Sequence, residues 1–123
     1  MNLTVTALES LTRILGTGTG KCLDLGCGTG IAIPHLAKLG WSVIGVDISA
    51  DQLRVAREHT RGVATELIKA DASRLPFPDG SFDVVVSLLT HTDLDDPEGD
   101  FAEVYRVLRP AGQFVYVGTH PCF

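Results

Sequence analysis

The sequence predicts an α/β domain, a doubly wound parallel sheet of about five strands with helices on both faces, on three observations. Strand-like and helix-like segments alternate along the chain with short connections, the pattern that builds a parallel sheet covered by helices. A short apolar run, Lys21 to Leu25, leads directly into a turn with glycines at 26, 28 and 30, and then into the apolar helical face Ile31, Ile33, Leu36 and Ala37. Asp83 to Leu89 is an almost unbroken apolar stretch, as expected of a central strand buried on both faces.

The elements follow in order. Thr4 to Leu15 reads as an opening amphipathic helix with Leu8, Leu11, Ile14 and Leu15 on one face, and Gly16 to Gly20 as its flexible exit. Residues 1–19 thus form an N-terminal helix and linker, and residues 20–123 the core of a single domain. Strand one is Lys21 to Leu25. A helix from about Thr29 to Leu39 is stopped by Gly40. Strand two is Trp41 to Val46. The next helix opens on Ser49-Ala50-Asp51-Gln52, which fits a capping box, and runs to about His59. Strand three is Val63 to Ile68 and strand four Asp83 to Leu89. Asp96-Pro97 starts a helix that reaches Leu108, with proline at its first position. Pro110-Ala111-Gly112 turns the chain into strand five, Gln113 to Val117. Repeats and low-complexity stretches are absent.

Composition narrows the class. A chain of 123 residues, 45% apolar and 20% charged, has the balance of a globular domain with one real core. No stretch approaches the roughly 18 apolar residues of a membrane span. No basic stretch followed by an apolar core marks a leader at the N-terminus. The net charge of −5 argues against nucleic acid as a partner, since that would call for a basic face. The three cysteines, Cys22, Cys27 and Cys122, match no zinc spacing and read as reduced thiols, so the expected location is cytoplasmic.

A strand, a glycine turn and a helix in that order bring backbone N–H groups and the positive end of a helix toward a ligand. Glycine serves there because the backbone takes positive φ and the ligand approaches where a Cβ would clash. Two phosphate-binding readings fit poorly. The dinucleotide fingerprint wants glycine or alanine at its sixth position, where this chain has Ile31. A P-loop wants glycine at Leu15 and serine or threonine at Cys22. Asp24, just before the turn, sets a carboxylate where a pyrophosphate would be repelled.

Ligands of such sheets sit at the carboxyl ends of the strands, where strand order reverses. Strand two ends at Asp47-Ile48: a carboxylate suited to a ribose diol beside an apolar side chain suited to an adenine face. Past strand three lie Asp71-Ala72, where a carboxylate can receive an adenine amino group. Two histidines fall near strand ends, His91 after strand four and His120 after strand five. His91 is the better candidate for a general base. His35 and His59 lie on helices and read as surface residues. The acidic run Asp93, Asp95, Asp96, Glu98 and Asp100 suits a helix N-terminus and lacks an EF-hand pattern, so no metal is expected.

The segments Asp24-Leu25-Gly26-Cys27-Gly28-Thr29-Gly30, Val46-Asp47-Ile48-Ser49, Lys69-Ala70-Asp71-Ala72, Leu75-Pro76-Phe77-Pro78-Asp79-Gly80-Ser81-Phe82-Asp83 and Arg106-Val107-Leu108-Arg109-Pro110-Ala111-Gly112 resemble those of the class I S-adenosylmethionine (SAM)-dependent methyltransferases. The resemblance is to the small-molecule family related to ubiquinone/menaquinone-biosynthesis enzymes. It implies a Rossmann-like core that binds SAM and releases S-adenosylhomocysteine (SAH). By that resemblance Asp24 is a cofactor-binding residue, and the backbone from Gly26 through Cys27 and Gly28 to Gly30 holds the methionine portion. Asp47 takes the ribose, Ile48 flanks the adenine, Asp71 and Ala72 read its edge, and Leu88 with Leu89 borders the cofactor. The implied partner is a small-molecule methyl acceptor.

The family continues beyond strand five with segments that have no counterpart before Phe123, so the expected core is truncated after strand five. Its apolar edge, Phe114-Val115-Tyr116-Val117, then invites self-association into a homo-oligomer. A SAM- or SAH-binding module without catalysis, and a nicotinamide-dependent dehydrogenase, remain as alternative functions.

Overall fold

The computed structural model describes residues 3–89 and 97–118. Its elements are α1 (Leu3–Leu15), β1 (Lys21–Leu25), α2 (Ala32–Lys38), β2 (Ser42–Asp47), α3 (Ala50–His59), β3 (Thr65–Lys69), β4 (Phe82–Leu89), α4 (Pro97–Val107) and β5 (Leu108–Gly118). The five strands form one sheet in the order β3-β2-β1-β4-β5, and every pairing is parallel. The chain winds outward from β1 to β3 and then returns to the other side of β1 with β4. The strand order therefore reverses between β1 and β4, and the glycine turn leaves β1 at that point.

Alternation along each strand sorts the core into two layers. Cys22, Val43, Val84, Val86 and Val115 meet Leu11 of α1 and Ile33 and Leu36 of α2. On the opposite face Leu23, Val46, Phe82 and Val85 meet Val104 and Val107 of α4. Helices thus cover both faces, and each fully buried Leu, Ile, Val or Phe contributes roughly 1.5–3 kcal/mol. Asp24 has the parity of Cys22, and Asp47 that of Val43, so both carboxylates stand on the face that carries α2.

Local sequence explains where the elements differ from expectation. Gly30 takes φ +78°, so α2 begins at Ala32, three residues later than predicted. Ser49 is the N-cap of α3, and its side chain accepts the N–H of Gln52 at 3.2 Å, as the capping pattern requires. The stretch from Gly16 to Gly20 is pinned rather than a free exit. Trp41 Nε1 donates to the Gly16 carbonyl (3.1 Å), Gly18 N–H to Leu39 O (2.9 Å), and Ser42 N–H to Gly20 O (2.9 Å). A Cβ on Gly18 would lie 2.2 Å from the Trp41 ring, so glycine is the residue that fits there.

The largest difference is at β5. It begins at Leu108, immediately after α4, rather than at Gln113. Leu108 pairs with Phe82 and Gln113 with Val84, and the extra residues form a bulge. Ala111 within it takes φ +67°, the left-handed region. Among the described residues β5 pairs with β4 alone.

Candidate functional site

Between β1 and α2 the chain turns through three left-handed glycines, Gly26 (φ +70°), Gly28 (+55°) and Gly30 (+78°). They serve different ends. A Cβ on Gly30 would press on Ala56 at 3.0 Å, so Gly30 permits the turn to pack on α3. A Cβ on Gly28 would meet only Gln52 Oε1, at 3.7 Å, so Gly28 has room for a ligand to approach the backbone.

Asp47, at the end of β2, grips this turn. Its Oδ2 accepts the Gly28 N–H at 2.8 Å and its Oδ1 the Ser49 N–H at 2.9 Å. Each oxygen keeps lone-pair capacity for a further donor, which suits a vicinal diol. Ile48 follows it with 63% of its surface exposed. A large apolar side chain this open at a strand end is an unmet surface of the kind a planar base can cover.

Asp24 is the buried member of the set, at 2% exposure. Its Oδ2 has no hydrogen-bond partner. Burial, reinforced by the negative charge of Asp47, raises its carboxyl to about 7. Cys27, within the turn, spends its N–H on Val46 O at 2.9 Å. Its sulfur is packed toward Gly45, where a Cβ would come within 3.1 Å of it. The thiol is raised to about 12 by burial and then by the charges of Asp24 and Asp47. The side chain is therefore a packing group rather than a nucleophile.

Asp71 lies just past β3 and is exposed. Its Oδ1 accepts both the N–H and the hydroxyl of Ser73, at 2.9 and 2.8 Å. These bonds hold the carboxyl below its ordinary range. Ala70 N–H donates to Asp47 O at 3.1 Å, which ties this segment to the end of β2. Ala72 is partly buried against the α4-side core. Leu88, on the α2 face at the end of β4, is partly buried against the other core. Leu89's side chain lies outside the described residues, as do His91, His120, Cys122 and Asp93 to Asp96. Among the described residues no group of three His, Cys, Asp or Glu side chains is placed to hold a metal ion, and no helix is long and apolar enough to cross a membrane.

Three contributors escape a reading of the sequence. Ser87, buried in β4, donates its hydroxyl to Leu25 O at 3.1 Å and so braces the end of β1. His59 donates Nδ1–H to Thr29 O at 2.6 Å. It is exposed, as expected of a surface residue, yet it ties the end of α3 to the glycine turn. The only sequence signal for that contact is the third glycine, which lets α3 come close. Arg106 of α4 holds the segment between β3 and β4 through its guanidinium. His35 has a more ordinary part, joining α2 to Thr12 of α1.

Two features fit SAM or SAH. The backbone at Gly28 is open where a side chain would stand, and Asp24 Oδ2 is a buried oxygen without a partner. In its ionised form that oxygen can be completed by a cation or N–H donor but not by an anion.

Comparison with known proteins places the sequence and the fold in a family. The chain is 37% identical over 106 residues to the ubiquinone/menaquinone biosynthesis C-methyltransferase of Desulfotalea psychrophila, covering 85% of this chain and 43% of that protein. The fold is similar to that of the PH0226 protein of Pyrococcus horikoshii OT3, with TM-score 0.85 and 38% identity, over 95% of this chain and 57% of that one. It is also similar to an S-adenosylmethionine dependent methyltransferase from Mesorhizobium loti, with TM-score 0.77 and 30% identity, over 90% of this chain and 50% of that one. The chain thus spans about half the length of the relatives it matches. The model of the methyltransferase domain family matches residues 23–116, from β1 through the turn, Asp47 and Asp71 to β5, and on that match this chain belongs to the methyltransferase domain family.

Proposed function

We propose that this chain is the cofactor-binding part of a SAM-dependent methyltransferase whose acceptor is a small molecule. The observation that carries the reading is Asp24 Oδ2, buried and unpartnered beside a left-handed glycine turn. A dinucleotide would bring a pyrophosphate to that position, and its charge would oppose Asp24. A ligand with an ammonium and a sulfonium group brings the opposite sign. In this reading Asp24 and the Gly26–Gly30 backbone hold the amino-acid portion, Asp47 receives the ribose hydroxyls, and Ile48 covers one adenine face. Asp71 and Ala72 meet the adenine edge, and Leu88 closes the side toward β4.

SAM, when held by these residues, would supply an activated methyl group for transfer to the acceptor with a neutral thioether as the leaving group. The protein's task is then to hold the acceptor and the methyl in line, where ordering can lower the barrier by roughly 7–11 kcal/mol. His91 is the proposed base where the acceptor must lose a proton. An acceptor like that of the Desulfotalea relative, named for methyl transfer to carbon in quinone biosynthesis, and a cytoplasmic location belong to the same reading.

Calorimetric titration of the purified chain with SAH, with NADH in parallel, tests it. Specific SAH binding, weakened by Asp47→Ala, supports the reading. Binding of NADH in place of SAH overturns it, and so does a folded protein that binds neither. SAH binding without methyl transfer to any quinol or phenol acceptor leaves a binding module in place of an enzyme.

A further inference from the structure

Twelve residues, Ala70 to Ser81, connect β3 to β4, and one side chain of α4 gathers most of that connection. Arg106 NH1 donates to Phe77 O at 2.7 Å and to Asp79 Oδ1 at 2.9 Å, and NH2 donates to Leu75 O at 3.0 Å. Nε pairs with Glu103 Oε2, and Glu103 Oε1 accepts the Leu75 N–H at 3.3 Å. The Arg106 carbonyl in turn accepts the Gly80 N–H at 2.9 Å. Both side chains are largely covered, at 34% and 16% exposure. A loop held this way needs little else to order it, because a planar fork satisfies several carbonyls at once.

The grip starts where the candidate adenine site ends. Asp71 and Arg74 form an isolated backbone bridge, with Arg74 N–H donating to Asp71 O at 2.9 Å. Leu75, the next residue, is held by both Arg106 and Glu103. Asp71 itself is exposed, and among the described residues its carboxylate is oriented by Ser73 within its own turn. The turn is therefore anchored at Ala70 by Asp47 O and at Leu75 by α4.

We infer that Arg106, braced by Glu103, is a positioning group for adenine recognition, fixing the Asp71–Ala72 turn from a helix that supplies none of the proposed ligand contacts. This rests on the proposed function. It makes the junction of α4 with the β3–β4 connection a determinant of base selectivity, and not of fold stability alone.

The test compares SAH with S-inosylhomocysteine, which carries hypoxanthine in place of adenine, by calorimetry on the full chain well below its melting temperature. Wild type is expected to prefer SAH, and Asp71→Asn to lose most of that preference. Arg106→Ala is expected to lower SAH affinity about tenfold, the worth of one displaced hydrogen bond, and to leave S-inosylhomocysteine nearly unchanged. Arg106→Lys keeps the charge but cannot span Leu75 O, Phe77 O and Asp79 together. It is expected to lose the preference too, and it keeps the test sound if the alanine variant does not fold. A lower melting temperature with an unchanged ratio between the two ligands overturns the inference and leaves the proposed function standing. Equal binding of the two ligands by wild type also overturns it. Failure of wild type to bind SAH at all overturns the proposed function itself.

Discussion

The Gly28 N–H donates to Asp47 Oδ2 across 2.8 Å, so the carboxylate that ends β2 holds in place the turn that leaves β1. Two roles meet in Asp47, and substitution separates them. Asp47→Ala removes two charge-assisted bonds and is expected to cost about 2 kcal/mol of stability, read in urea unfolding. Asp47→Asn keeps one acceptor oxygen and should recover about half of that loss, while SAH affinity falls in both variants. Unchanged stability in the alanine variant would mean that the turn is held by its own geometry.

Asp24 gives stability a pH dependence opposite to that of most carboxylates. Burial raises its carboxyl from 3.8 to about 7, so between these values the folded state binds a proton that the unfolded state has released. Stability from this group is therefore present below about pH 4 and is lost as pH rises to about 7, by a few kcal/mol at most. Asp24→Asn cannot ionise and should flatten this part of the profile, with its largest gain over wild type near pH 8. Unfolding curves of the two proteins at pH 4.5 and pH 8 check it. Parallel profiles would show that Asp24 stays ionised in the fold. Saturating SAH should reduce the penalty in wild type if a cation completes Oδ2.

How much of this was legible in the sequence follows from how local each feature is. The glycine turn and the order of strands and helices are written in short patterns, and they stand as expected. Asp47 and Ile48 could be read as a strand-end pair, yet the bond from Asp47 to Gly28 could not, because register joins residues nineteen apart. β5 starts earlier than the sequence suggests, because Leu108 to Gly112 contains proline and glycine, which signal a turn. In the fold that turn is a bulge inside a strand already paired to Phe82. His59, Ser87 and Arg106 act through distant carbonyls, and a backbone acceptor leaves no mark in a sequence.

The cysteines test how tightly the turn is packed. Cys22 and Cys27 are both raised to about 12, in each case first by burial. From an ordinary 9.0 that leaves roughly a thousandfold less thiolate. In a Cys122→Ser background, iodoacetamide at pH 8 should label neither residue in the folded protein and both in urea, as read by mass spectrometry. Rapid labelling of Cys27 alone would show that the glycine turn opens in solution.

Ala111 sits at φ +67° in the bulge that begins β5. A Cβ there costs roughly 1–2 kcal/mol, and replacing it with glycine gives back roughly 0.5–1 kcal/mol through a looser unfolded chain. Ala111→Gly should therefore stabilise the protein by a few tenths of a kcal/mol to about 1 kcal/mol. A lower denaturation midpoint would show that the methyl group packs well enough to outweigh the strain.

The edge at β5 carries the last prediction. Among the described residues this strand has one neighbour, β4, and no strand pairs with its other side. Aromatic side chains crowd the same border: Tyr105 is 72% exposed, Phe101 and Tyr116 each 40%. Phe114 bridges Phe101 and Tyr116 through edge contacts at 6.1 and 6.5 Å. An apolar strand with open hydrogen-bonding groups is a template for pairing. The purified chain is therefore expected to self-associate as concentration rises, in light scattering from about micromolar to millimolar protein. A lysine on an edge strand opposes such pairing by charge and by the hydration of its head group. Tyr116→Lys should shift association to at least several-fold higher concentration while leaving the unfolding midpoint nearly unchanged, because Tyr116 is half exposed and outside both core clusters. A wild-type chain that stays monomeric throughout, or a variant that associates as readily, would show that the β5 edge is not the contact.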